Sequence, residues 1–128
     1  MSTNIALTTN FDGGGKFGTA TISGSGSTVI LDTAGDVTSS FYTNGYKSVE
    51  FQYELATVGT SVVVAIEVQT SASGQWVERT VSTAQTANGT YALTFSGYSY
   101  NTRLKLKTIT TGTPAIRNIT GTCSDRYV

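Results

Sequence analysis

Along most of the chain apolar and polar residues alternate one by one, and nowhere do they recur at the three-to-four-residue spacing of a helix. The clearest run is Ser48-Val49-Glu50-Phe51-Gln52-Tyr53-Glu54-Leu55. Val49, Phe51, Tyr53 and Leu55 fall on one face and Ser48, Glu50, Gln52 and Glu54 on the other, the pattern of a strand with one face on a core and one in water. After a turn around Val58-Gly59-Thr60, residues 61–69 are apolar on both faces at first and alternate later. That predicts a central strand covered on both sides at one end. Ser71-Ala72-Ser73-Gly74 predicts a turn, and residues 75–81 the return strand of a hairpin. Asn88-Gly89 predicts a type I′ turn with two positive φ angles, ahead of a strand over 91–95. Tyr98 and Tyr100 flank a Gly/Ser-rich bend. Residues 102–108 alternate strictly, with Leu104 and Leu106 inward and Arg103, Lys105 and Lys107 outward. A turn at Thr111-Gly112-Thr113-Pro114 leads to a final strand over 115–120.

The first 45 residues are looser. Residues 19–23 and 28–32 predict two short strands around Gly24-Ser25-Gly26, and Phe41, Tyr42 and Tyr46 bracket a turn at Thr43-Asn44-Gly45. Asp12-Gly13-Gly14-Gly15-Lys16-Phe17-Gly18 predicts a flexible stretch, so residues 1 to about 18 are expected as a flexible Gly-rich segment. The sum is about eight strands with turn signals every 8 to 12 residues, the spacing of a sandwich or barrel. The expectation is one all-β domain spanning 1–128, an antiparallel β-sandwich of jelly-roll kind. No repeat at a fixed period is present.

Composition narrows the partners. Charged residues are 12% of the chain and apolar ones 38%, with eight basic and eight acidic side chains. About a fifth of the chain is threonine, a β-branched residue suited to half-exposed strands. Zero net charge argues against nucleic acid, whose binders carry a surplus of Lys and Arg to neutralise phosphates. It argues equally against a polybasic membrane contact. No apolar run approaches the length of a membrane span. Met1-Ser2-Thr3-Asn4-Ile5-Ala6-Leu7 lacks the basic and apolar regions of a signal peptide, so the product is expected to stay in the cytoplasm. The single cysteine, Cys123, reads as a small buried hydrophobe.

The usual routes to catalysis are thin. Histidine, the commonest base and metal ligand, is missing, and one cysteine cannot build a zinc site. Glu50 and Glu54 share a strand face about 13 Å apart, too far for a glycosidase pair. Glu50, Glu54 and Glu67 read instead as partners of Arg103, Lys105 or Lys107 across strands. Asp12, Asp32, Asp36 and Asp125 lack calcium-loop spacing. No enzyme, cofactor or metal is expected. Two sets of side chains remain as interface candidates. The basic stripe Arg103, Lys105 and Lys107 reads as an anion site, a subunit contact, or the charged water face of an edge strand. The aromatics Tyr42, Tyr46, Trp76, Tyr91, Tyr98 and Tyr100 lie at or near turns, where rings stack on sugars or anchor protein interfaces; Trp76 also reads as a cap on one end of the core. Phe11 and Phe17 are the aromatics of the N-terminal segment.

Val64-Ala65-Ile66-Glu67-Val68-Gln69-Thr70-Ser71-Ala72-Ser73-Gly74-Gln75-Trp76 resembles a hairpin of phage virion β-sandwiches, in which a strand ending in Glu-x-Ser leads to an Asp-Gly-x-Trp-like turn. Downstream, Asn88-Gly89-Thr90-Tyr91 and Tyr100-Asn101-Thr102-Arg103-Leu104-Lys105 are similar to the tyrosine bend and Arg-rich strand that follow there. The resemblance covers about residues 46 to 110. Ala72-Ser73 replaces the acidic turn, which removes any match to the sialidase Asp-box. The resemblance implies a non-enzymatic virion protein: a head decoration (cement) protein, a tail adaptor or a receptor-binding tip. The first of these is the leading expectation. It carries a homotrimer seated on the major capsid protein or another virion protein, with the first 45 residues and the loop aromatics in contact. The alternative is a tail or fibre module binding a host glycan through those aromatics.

Overall fold

The computed structural model describes residues 7–11, 17–22, 31–38 and 40–124. These form nine strands and no helix: β1 (Leu7–Phe11), β2 (Phe17–Ile22), β3 (Phe41–Tyr42), β4 (Ser48–Thr57), β5 (Val62–Gln69), β6 (Val77–Val81), β7 (Gly89–Ser96), β8 (Asn101–Ile109) and β9 (Ala115–Ser124). One sheet has the order β1-β2-β9-β4-β7 and the other β3-β8-β5-β6. Every neighbouring pair is antiparallel. The inner faces of the two sheets meet in one core, as in a sandwich. Val49, Phe51, Tyr53 and Leu55 of β4 and Ile116, Ile119 and Cys123 of β9 pack there against Val62, Val64, Ile66 and Val68 of β5 and Leu104 and Leu106 of β8. None of them is more than 2% exposed.

Strict alternation explains β4 and β8. In β9 it would turn Asn118 inward, because Ile116 already faces the core. The strand avoids this with a bulge: between Gln52 and Glu54 of β4, three steps of β9 span Thr120 to Arg117. Asn118 sits there at φ 53°, a left-handed conformation that Asn tolerates better than most residues. The extra residue flips the face, so Ile119, Gly121 and Cys123 all point inward and the strand runs on to Ser124. β5 lies between β8 and β6 and is buried along most of its length on both faces, including Ala65 and Glu67.

Several sequence expectations need correction. β1 was not foreseen, because the glycine-rich segment beside it masks the strand pattern of Leu7–Phe11. It pairs with β2 over five residues. Of the strand expected over 28–32, the described part is an isolated bridge from Leu31 to Ile116, and residues 23–30 lie outside the described residues. The flexible segment expected over 1 to about 18 falls partly outside them too, at 1–6 and 12–16. Asn88-Gly89 does not close a hairpin. β6 and β7 belong to opposite sheets, so the connection crosses from one to the other. Gly89 opens β7 in a near-extended conformation, and Asn88 has no positive φ. Trp76 does not cap the core; it lies on the outer face of the four-stranded sheet, as described next.

Candidate binding surface at one end of the sandwich

Strand register brings three connections to the same end. Ser48 pairs with both Ser96 and Ser124, Tyr42 with Asn101, and Gln69 with Asn101. The loops 43–47, 70–76 and 97–100 therefore lie together, and they or their flanking strands carry Tyr42, Tyr46, Trp76, Tyr98 and Tyr100; Tyr91, near the start of β7, lies toward the opposite end, its hydroxyl donating to Ala87 O. The opposite end holds the loops 58–61, 82–88 and 110–114.

The aromatic end is held from beneath by hydroxyls. Thr43, Ser99 and Thr102 are at most 3% exposed. The Thr43 hydroxyl lies 2.7 Å from that of Ser99 and 2.9 Å from that of Thr102. Main-chain bonds tie the loops further. Thr43 N donates to Tyr100 O at 2.9 Å, Tyr100 N to Gln69 O at 2.7 Å, and Gly97 N to Lys47 O at 2.8 Å. Gly45, at φ 94°, takes the third place of the turn closed by Tyr46 N donating to Thr43 O, where a positive φ favours glycine. The Asn101 side-chain amide donates to Gln69 Oε1, and Gln69 Nε2 donates to Gly74 O, which fastens the third loop.

On this base the rings divide. Tyr42 and Tyr98 are 47% and 55% exposed. Tyr42 meets Tyr100 edge-on at 5.0 Å, and Asn44 Nδ2 donates to the Tyr42 hydroxyl at 2.9 Å. Tyr46, by contrast, belongs to the core and is 9% exposed, with its edge on a depression of about 240 Å³. Asn44, Gly45, Lys47, Gly97 and Tyr98 complete its lining. Trp76 is half-buried, with the Arg103 guanidinium 4.1 Å from its ring centre in a cation–π stack. Phe11 ends β1 and Phe17 begins β2; their side chains lie outside the described structure.

Each cation of the basic stripe is paired in place, with Arg103 and Lys105 sharing one carboxylate. Glu67 stands opposite Arg103 in the β5–β8 register. Its Oε1 accepts from Arg103 Nε at 2.8 Å and lies 2.8 Å from Nη2, and its Oε2 accepts from Lys105 Nζ at 3.3 Å. The carboxylate side chain is 8% exposed beneath the two cations. Lys107 pairs with Glu78 at 2.8 Å. The stripe therefore reads as cross-strand pairing over β5, β6 and β8. On the outer face of the other sheet Glu54 accepts from Arg117 Nε and Asn118 Nδ2. Those two bonds hold its carboxyl below the usual carboxylate range. Asp36 goes the other way: burial raises its carboxyl, although the Asp32 and Thr33 amides donate to it.

The sequence reading missed Asn44, Gln69, Asn101 and the buried Thr43–Ser99–Thr102 set. For Asn44 a signal was present in the Asn-Gly pair between two tyrosines. The hydroxyls gave none, since each is satisfied by residues more than 50 positions away. Among the described residues no group of three His, Cys, Asp or Glu side chains is placed to hold a metal, and no helix is long and apolar enough to cross a membrane.

No protein-family profile matches the chain, and no curated protein matches it. Solved structures do resemble it. The SPBc2 prophage-derived protein YomS matches with a TM-score of 0.47 and 8% identity, over 93% of this chain and 96% of that one. The enzymatically active domain of tailspike protein 4 from bacteriophage CBA120 matches with a TM-score of 0.48 and 14% identity, over 92% of this chain but 18% of that one. A CBM4 structure matches with a TM-score of 0.36 and 14% identity, over 94% of this chain and 74% of that one.

Proposed function

We propose that this chain is a non-enzymatic structural protein of a phage particle, a capsid decoration protein that also presents a recognition surface. The observation that carries the reading is the aromatic end. Three connections between different strands converge there, a buried hydroxyl set stiffens them, and Tyr42 and Tyr98 are left exposed. Rigid, exposed tyrosines are a low-entropy way to make contact. The phage setting is supported by the resemblance over residues 46 to 110. The order β2-β9-β4-β7 facing β3-β8-β5-β6 supports a jelly roll with β1 added at one edge.

In this reading two surfaces have separate tasks. Among the described residues β1 is the outermost strand of its sheet and pairs with β2 alone, and in this reading its other edge meets a neighbouring protein. The N-terminal region, with Phe11 and Phe17, meets the shell, and the domain sits there as a homotrimer in the virion. By register Phe17 pairs with Ser124 and Ser124 with Ser48, so Phe11 and Phe17 lie at the same end of the strands as the aromatic loops, and the shell contact is set apart from those loops by the width of β2 and β9. The second reading, a tail or fibre module for a host glycan, is favoured by the amides of Asn44, Gln69 and Asn101 among the tyrosines.

Particles purified from the strain that carries the gene provide the test. Mass spectrometry is expected to find the chain at a fixed ratio to the major capsid protein. Added back to particles lacking it, the purified chain is expected to sediment with them. A variant without residues 1–11 is expected to stay folded and remain in the supernatant. Absence of the chain from particles would overturn the proposal. Sedimentation of the truncated variant would overturn the assignment of the shell contact to β1.

A further inference from the structure

We infer that the depression beside Tyr98 is a binding site for one pyranose unit of a polysaccharide. This rests on the aromatic end being the recognition surface of the particle protein, and it names the ligand.

The size is right for one sugar ring. At about 240 Å³ the depression is smaller than the roughly 300–1,000 Å³ of sites for drug-sized ligands. Its lining contains two glycines, so part of the wall is bare backbone. A side chain built at Gly45 would meet nothing within 4 Å, which leaves the approach open on that side.

The chemistry is mixed in the manner a sugar requires. A pyranose has an apolar face of C–H groups and a rim of hydroxyls. It therefore needs an aromatic face beside fixed hydrogen-bonding groups. Tyr98 supplies the ring. It is 55% exposed, and the backbone that carries it is anchored on both sides: Gly97 N is bonded to Lys47 O, and the Ser99 hydroxyl is buried against Thr43. Asn44 supplies the amide. Its Nδ2 is spent on the Tyr42 hydroxyl, which orients the group, and its Oδ1 accepts from no described residue. That oxygen is an acceptor in fixed orientation for a sugar hydroxyl. No carboxylate lines the depression.

The other surfaces of the domain fit a saccharide less well. The depression among Ser48, Val49, Glu50, Thr94, Thr122 and Ser124 has no aromatic side chain in its lining. The Trp76 ring already stacks on Arg103, whose guanidinium is held by Glu67.

The test is amide chemical-shift mapping on the full chain with free glucose, galactose, N-acetylglucosamine and rhamnose, each raised to tens of millimolar. At least one sugar is expected to shift the amides of Gly45, Lys47, Gly97 and Tyr98 with a saturating curve that salt leaves unchanged. Tyr98→Ala is expected to weaken that sugar at least tenfold, Tyr98→Phe less than threefold, and Asn44→Ala about two- to tenfold, the range of one hydrogen bond. No saturable shift with any of the four sugars overturns the inference. So do shifts centred on Trp76 or Glu50, or binding that survives Tyr98→Ala. Because Tyr98 is exposed, its variants are expected to fold, which the dispersion of the same spectra verifies. Sedimentation with particles is measured on the same samples. If it persists while sugar binding fails, the sugar assignment falls and the particle role stands; if it fails while sugar binding persists, the reverse holds.

Discussion

The two ends of the sandwich are built on opposite plans. At the aromatic end the loops are stiffened from below and leave large rings in solvent. At the other end the loops 58–61 and 110–114 lock onto each other, the loop 82–88 is bonded to β5 through Gln85 and Ser82, and among the described residues no aromatic ring stands as exposed as Tyr42 or Tyr98. Thr60 and Thr111 share a hydroxyl–hydroxyl bond, and Ser61 and Thr110 another at 2.7 Å. Gly59, at φ 69°, lets the backbone of 58–61 approach that of Thr111 so closely that a Cβ on it would lie 2.2 Å from the Thr111 carbonyl oxygen. Below them the buried Tyr53 hydroxyl donates to Gln85 Oε1 at 2.9 Å. One end spends its contacts on holding the sheets together, and the other on holding a surface in shape.

The sharpest way to break this comparison is a pair of glycine substitutions. Gly45→Ala at the aromatic end has open space and bears only the cost of a left-handed backbone, about 1–2 kcal/mol. Gly59→Ala at the locked end carries that cost plus a collision with backbone that has nowhere to go. It is expected to lose about 3–4 kcal/mol. Urea unfolding of both variants gives the answer. Equal losses would mean that the far loops are not locked.

Legibility in the sequence follows the same divide. The strands over 48–57 and 101–109 were readable because alternation alone sets their faces, and the outward Arg103, Lys105 and Lys107 followed from it. Tyr98 was readable as a loop ring because Gly97 and Ser99 flank it. Tyr46 was not. Its burial depends on a turn that carries the chain from one sheet to the other, and that crossing leaves no period in the sequence. Asn88-Gly89 was misread for the same reason: a local turn signal cannot say whether the next strand joins the same sheet. The bulge at Asn118 and the Thr43–Ser99–Thr102 set depend on partners far along the chain, so they were readable only once the fold was known. The aromatics were thus legible as a list, but the convergence of five of the six on one end, with Tyr91 toward the other, was not.

Tyr53 gives a second, smaller test, on the locked side. Burial pushes its hydroxyl up to about 12. The folded state therefore holds the proton more tightly than the unfolded chain, whose tyrosine titrates near 10. The sign is that of a raised pKa. The contribution to stability is complete below pH 10 and is lost as pH rises from there through about 12. Tyr53→Phe is expected to flatten this part of the alkaline loss. At neutral pH it should cost about 1–2 kcal/mol, because Gln85 Oε1 is left buried without its donor. Chemical unfolding of both proteins from pH 8 upward separates the two effects. An unchanged alkaline limb would show that another group sets it.

The smallest expected effect sharpens the comparison most, because it is close to zero. Tyr98→Ala removes the most exposed of the large apolar side chains among the described residues. Its stability change is expected within about 0.5 kcal/mol, as for surface positions in general. A ring that large in water offers little to the isolated domain, so near-neutrality in urea unfolding would leave contact as its reason to be there. A loss of about 2 kcal/mol would instead make Tyr98 a strut of the loop, and the exposed rings would then be part of the scaffold on which the sandwich depends. Measured beside Tyr46→Ala, whose buried ring is expected to cost about 3–5 kcal/mol, the difference separates the two tyrosines that border one depression. One belongs to the core and the other to whatever the end of the sandwich meets.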